Sequence, residues 1–217
     1  MIDYDNVIKI KCEKDPNCYP NTNVLKNIYN ITDPKKLETY EKYITGIELY
    51  KMIEENYTGN FDVEHYKDIH KRLFSKVYTQ EIAGTLRNYD LIKAGTCFCI
   101  GNYVEDNLKS TLERMKKDMH NINTLDDYIN NLVHYYSDLN MIHPFREGNG
   151  RTLREFLRQY VVSLNDYYNI NCELDYSKMD SEKFFNNTVK DDFDGLKEEF
   201  TKAFVDVEKE KKARRTR

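Results

Sequence analysis

Apolar residues recur at three- and four-residue spacing over most of this chain, which is the period of an α-helix. From Leu37 the series Tyr40, Ile44, Ile47 and Tyr50 runs to about Glu55, and Asp33-Pro34 supplies its start, a carboxylate N-cap followed by a proline at the first helical position. The segment from Asn56 to Asn60 ends it. Asp62 caps a second helix whose buried face is predicted to carry Tyr66, Ile69, Leu73 and Phe74. Between Gly84 and Tyr103 the helical period is lost, three glycines intervene, and a small β-hairpin is expected. Helices are predicted again over Val104–His120 and, capped by Thr124, up to Ile142, with Leu125, Tyr128, Leu132, Tyr135 and Leu139 in register. Further helices are expected over Gly150–Leu164 and near 178–190 and 192–210. The pattern predicts a mostly α single domain over 1–217, with helices in 1–60, one hairpin at about 84–103, a loop at 143–154 and C-terminal helices over 178–210.

Composition narrows the class. With 217 residues, 40% of them hydrophobic, the chain can bury a core. It has no run of 18 apolar residues, so no membrane span is expected. The N-terminal MIDYDNVIKIKCEKD lacks the basic-then-apolar layout of a secretory signal. Five cysteines without framework spacing read as reduced thiols, and the expected location is the cytoplasm. The net charge is −4, and the last ten residues hold six basic and two acidic side chains, so the rest is more acidic still. An acidic body repels phosphate backbones, which argues against a nucleic-acid partner; the basic tail reads as a solvated helix end. Eighteen Tyr and no Trp point to a core built on rings with polar edges, Tyr128, Tyr135 and Tyr136 among them. No His or Cys spacing matches a zinc site.

One stretch carries chemistry: His143-Pro144-Phe145-Arg146-Glu147-Gly148-Asn149-Gly150-Arg151-Thr152-Leu153-Arg154. A polar, glycine-rich loop leading into a helix is a setting for anion binding, because the first backbone N–H groups of a helix lack partners within it. Glycines allow a phosphate close to the backbone. Arg151 and Arg154, three apart, share a helix face. Glu147 is a hard oxygen ligand of the kind Mg²⁺ uses beside phosphates, and His143 is of the residue type that exchanges protons near neutral pH. Singly, each is more often structural. Five such features within twelve residues point to phosphoryl or nucleotidyl transfer.

The same stretch resembles the Fic family signature, HPFx[D/E]GNGRxxR, at every specified position. Residues 83–98, AGTLRNYDLIKAGTCF, resemble the family's flap, with Ala94 where many members carry Gly. Tyr19-Pro20-Asn21 and the segment from Thr32 to Glu38 resemble toxin-type members. The resemblance implies a Fic-type helical domain that transfers AMP from ATP to a Tyr, Thr or Ser hydroxyl of a target protein, releasing pyrophosphate. It implies His143 as the base, Glu147 as the Mg²⁺ ligand, and Gly148, Asn149 and Gly150 on the α- and β-phosphates. Arg151 would lie near the β-phosphate and Arg154 at the γ-phosphate. Phe145 would be a structural anchor, and the flap residues Lys93, Ala94, Thr96 and Phe98 would dock the target as an added strand. Adenine would be read by the helices after 178, with Asn186 and Asn187 as candidates. Transfer of UMP or phosphocholine by the same scaffold, and a nucleotide-binding module without turnover, are the alternatives.

Many members carry an inhibitory [S/T]xxxE[G/N] helix. Here no Ser or Thr has Glu four residues on; Thr32 leads to Lys36 and Thr188 to Asp192. The expectation is therefore a bacterial toxin restrained by a separate small antitoxin protein, with DNA gyrase or topoisomerase IV subunits as the implied targets.

Overall fold

The computed structural model describes residues 15–93 and 95–207. The basic tail expected to be solvated lies outside them, as does Ala94. The described residues divide into two compact units, one made up of those through 109 and of 141–152, the other of 110–140 and 153–207.

In the first unit, residues 15–33 form turns joined by bridges between Cys18 and Leu25 and between Asn27 and Tyr78. Asn27, buried, organises them: its side chain bonds the carbonyls of Leu25 and Ile31 and accepts the Ile31 N–H. The helices expected within 1–60 thus reduce, among the described residues, to one, α1 (Pro34–Glu54). Asp33 caps it as expected, accepting from the N–H groups of Lys35 and Lys36. Its buried face differs from the apolar series: Leu37, Glu41, Thr45 and Met52 are buried, whereas Tyr50 is 62% exposed. Counting apolar residues misses a helix whose inward face carries polar groups with partners. Helix α2 (Val63–Phe74), capped by Asp62, packs on α1 and buries Tyr66, Ile69, Leu73 and Phe74 as predicted. The hairpin is present but small: β1 (Ile92–Lys93) pairs antiparallel with β2 (Thr96–Cys97), in the register Ile92 to Cys97 and Lys93 to Thr96. A 3₁₀ turn, Gly101–Tyr103, leads into α3 (Val104–Met119).

Helix α4 (Leu125–Ile142) is capped by the Thr124 hydroxyl, which accepts the Asp127 N–H. Its Tyr128, Leu132, Tyr135 and Leu139 are buried, but Leu125, in the first turn, is 59% exposed. In the second unit α5 (Asn149–Ser163) continues with Leu153, Phe156, Leu157, Tyr160 and Val161 buried. A short α6 (Asn165–Tyr168) follows, then β3 (Cys172–Leu174), α7 (Ser181–Lys190) and α8 (Phe193–Ala203). Asp180 and Asp192 cap α7 and α8. The helix expected over 192–210 stops at Ala203, and β4 (Phe204–Asp206) turns back to pair antiparallel with β3, Leu174 opposite Phe204. Strands of three residues are too short to show a period of two, so this sheet escaped the sequence pattern. Among the described residues the architecture is mostly α, as predicted, with two small two-stranded sheets. Among the described residues no helix is long and apolar enough to cross a membrane.

Candidate active site

The site begins where α4 ends. His143 precedes a proline, and the residue before proline is pushed away from right-handed helical geometry. Its φ is +46°, in the left-handed region that few non-glycine residues adopt. Its carbonyl accepts from Arg87 Nε at 2.8 Å, and its half-buried ring stacks on Phe98, centroids 3.9 Å apart.

Phe145 then enters the core. Its ring is fully buried, 3.8 Å from the His70 ring and 5.8 Å from Tyr66, nearly parallel to both. Asn149, also buried, closes the loop onto Phe145: its Oδ1 accepts the Phe145 N–H and its Nδ2 donates to the Phe145 carbonyl, both at 2.8 Å. The amide expected to face phosphate therefore holds the loop shut. Gly148 has φ +81°, and a Cβ there would lie 2.3 Å from the Phe74 ring, so glycine is required on both counts. The first N–H to bond within α5 is that of Thr152, to the Gly148 carbonyl at 3.1 Å. The N–H groups of Asn149, Gly150 and Arg151 have no acceptor inside the helix, and the positive end of its dipole lies with them.

Glu147 presents its carboxylate beside that helix start. Oε1 accepts the Gly148 N–H at 3.2 Å, and Oε2 lies 3.3 Å from Lys93 Nζ in β1. Burial opposes its charge, but Lys93, the Gly148 N–H and Arg151 outweigh burial and hold its pKa below the ordinary carboxylate value. A carboxylate that already draws a cation to its outer oxygen suits a hard divalent ion. Among the described residues no group of three or more His, Cys, Asp or Glu could hold a metal by itself. An ion here would take most of its ligands from phosphate and water, as Mg²⁺ does.

Arg151 lies with its guanidinium 4.7 Å over the Phe74 ring, donating to Glu41 and to Thr45 in α1, the latter at 3.2 Å. Arg154, three residues on along α5, belongs to the second unit, where its carbonyl accepts the Tyr176 hydroxyl at 3.0 Å. The structure thus gathers His143, Phe145, Glu147, Gly148, Asn149, Gly150 and Arg151 with Lys93 and Phe98. Thr96 pairs with Lys93 in the hairpin. Asn186 and Asn187 lie on α7 of the second unit.

Two residues beneath the site, one of them the arginine of the flap-like segment, were given no role in the sequence. Arg87, buried, bonds the carbonyls of His143, Ile142, Tyr89 and Cys99 at 2.6–2.9 Å, and its own N–H reaches the Pro144 carbonyl. Nothing in a lone Arg within a loop signals such a knot. His70 accepts the Gly84 N–H on Nδ1 at 2.8 Å, which leaves Nε2–H to donate to the Glu147 carbonyl at 2.9 Å. Its place four residues after Tyr66 and before Phe74, on the apolar face of α2, is the available sequence signal.

Burial pulls the His70 pKa from 6.5 to about 4. Unfolding restores the higher value, so the unfolded chain binds the extra proton and stability falls as pH drops from about 6.5 to about 4. The expected loss across that window is about 3 kcal/mol. Urea unfolding between pH 7 and 4 checks it: His70→Gln should flatten the slope, and an unchanged slope would remove His70 as its source.

Comparison with known proteins places these features. The profile of the Fic/DOC family matches residues 60–161. A protein adenylyltransferase, VbhT of Bartonella schoenbuchensis, is 35% identical over 153 residues, which are 70% of this chain and 31% of that protein. The chain therefore spans about a third of that relative. A probable protein adenylyltransferase, y4lH of Sinorhizobium fredii, is 30% identical over 186 residues, 85% of this chain and 91% of that one. Among solved structures, the BepC protein of Bartonella tribocorum with bound AMPPNP shares the fold at a TM-score of 0.74 and 22% identity, over 88% of this chain and 96% of that one. With a relative matched over nine-tenths of its length and a signature loop folded around a helix start, the chain belongs to the Fic/DOC family.

Proposed function

We propose that this protein is a protein adenylyltransferase, which moves AMP from ATP to a hydroxyl side chain of a target protein and releases pyrophosphate. The observation that carries this reading is the His143–Arg151 loop: a histidine held in left-handed geometry, leading through a short loop to a helix start whose first N–H groups have no acceptor within the helix, with the Glu147 carboxylate and Arg151 beside it. The relatives' names and the nucleotide in the BepC structure support it.

In this reading the triphosphate lies on the N–H groups of Gly148 to Arg151. Asn149 serves by pinning the loop that aims them. Arg151 faces the β-phosphate and Arg154, one turn on, the γ-phosphate. Glu147 would hold Mg²⁺, which would supply neutralisation of the phosphate charge. His143 accepts the proton of the target hydroxyl as its oxygen attacks the α-phosphorus, and the bond from that phosphorus to the α,β-bridging oxygen breaks. The hairpin's Lys93, Thr96 and Phe98, with Ala94 between, receive the target as a third strand; among the described residues β1 and β2 have no other strand beside them.

The same reading extends to control. With no Ser or Thr four residues before a Glu, the chain lacks the inhibitory motif, so the restraining Glu comes from a separate antitoxin protein. As a toxin-type member, its first targets to test are gyrase and topoisomerase IV subunits.

The test supplies ATP labelled at the α- or the γ-phosphate, with Mg²⁺, in a bacterial lysate. Label should reach a protein band from the α position only. Transfer from the γ position would make the protein a kinase. Preferential transfer from UTP or CDP-choline would shift the donor and not the scaffold.

A further inference from the structure

Helix α1 buries a carboxylate, Glu41, 8% exposed, among the apolar residues of the first unit. A buried carboxylate is costly unless both oxygens find strong partners. Here one oxygen accepts from Arg151 and the other from the Tyr78 hydroxyl. Burial, and then the charge of Glu41, push the Tyr78 phenol far above its usual pKa, so it stays a donor. Thr45, one helical turn after Glu41, donates from its own hydroxyl to the Glu41 carbonyl at 2.8 Å and accepts from Arg151 Nη1 at 3.2 Å. Phe74 closes the fourth side, under the guanidinium plane at 4.7 Å.

Arg151 is therefore held on one edge and one face by groups that are themselves buried. Its bonds to Glu41 and Thr45 use two of five guanidinium donors, which leaves three for a ligand. An arginine fixed before a ligand arrives loses little freedom on binding, and a fixed charge stabilises developing charge without reorganising.

We infer that Glu41 is a positioning residue, which with Thr45 presets the Arg151 guanidinium for the β-phosphate of the bound nucleotide. This rests on the proposed reading of the site as one for ATP. It gives α1 a role beyond packing and accounts for the polar face that apolar periodicity does not register. The opposing effect, that Glu41 neutralises Arg151 and weakens it toward anions, predicts the reverse sign, so experiment separates the two.

The test compares two probes, AMPPNP and AMP, by calorimetry on wild type, Glu41→Gln and Glu41→Asp. AMP lacks the phosphate that Arg151 is assigned. Glu41→Gln should weaken AMPPNP about three- to tenfold and leave AMP unchanged. Glu41→Asp, which keeps the charge on a shorter arm, should lie between; it also reads the contrast if the Gln variant does not fold. Equal losses for both nucleotides would make Glu41 a structural residue only and overturn the inference. Unchanged or tighter AMPPNP binding would overturn it as well. In both cases wild-type binding leaves the proposed function standing. Wild type that binds neither nucleotide would instead overturn the reading of the site, and this inference with it.

Discussion

Replacing His143 should abolish transfer from α-labelled ATP while nucleotide binding stays close to wild type. A positioned general base contributes roughly 10²–10⁴-fold, and the neighbouring groups are poor substitutes: Glu147, its pKa lowered by Lys93 against the effect of burial, is a weak base, and His70 is buried with both ring nitrogens engaged. Two variants separate chemistry from conformation. His143→Ala removes the ring, its stack on Phe98 and a side chain type found more often than most at positive φ. His143→Asn removes only the imidazole, because asparagine tolerates that backbone readily. Both should fail in single-turnover transfer, and both should bind AMPPNP. If His143→Asn transfers AMP at the wild-type rate, histidine is there for the turn and not for the proton.

The largest effect on stability is expected at Phe145. Its ring is fully enclosed between His70 and Tyr66, so truncation to alanine both loses the transfer of the ring from water and leaves a cavity beneath the loop. The expected cost is about 3–5 kcal/mol, read from urea unfolding at neutral pH. Activity should fall with it, since Asn149 grips the loop through the backbone of this residue. A Phe145→Ala protein as stable and as active as wild type would refute the assignment of the ring as the loop's anchor. Phe145→Leu, which keeps part of the volume, should cost less.

The sequence reading and the structure agree where a local rule decides the outcome. The Asp33, Asp62 and Thr124 caps, the buried face of α2 and a hairpin somewhere within 84–103 were legible because capping, periodicity and glycine placement are properties of neighbouring residues. The loop from His143 to Arg154 was legible because its residues are contiguous. What escaped was decided at a distance. The inward face of α1 is polar because Arg151 and Tyr78, more than 30 residues away, supply partners for Glu41. Arg87 is invisible in the sequence because its partners are backbone carbonyls, which every residue owns. The β3–β4 pair joins segments some 30 residues apart through strands of only three residues.

Arg87 has a consequence for how such a protein could acquire new targets. Its donors tie Tyr89 and Cys99, at the foot of the hairpin, to Ile142 and His143, so one side chain joins the foot to the His143 turn. Lys93 and Thr96, paired at the tip, are not among its partners, though Lys93 reaches Glu147. If the hairpin docks the target as proposed, the tip beyond Lys93 can be rewritten without touching either the Arg87 knot or the Lys93–Glu147 pair. A change at the foot would alter the docking strand and the His143 turn at once. The hairpin is in effect an interchangeable key head on a fixed shaft, and exchanging residues 94–96 between relatives, with Lys93 kept, is the smallest graft that could redirect one of them.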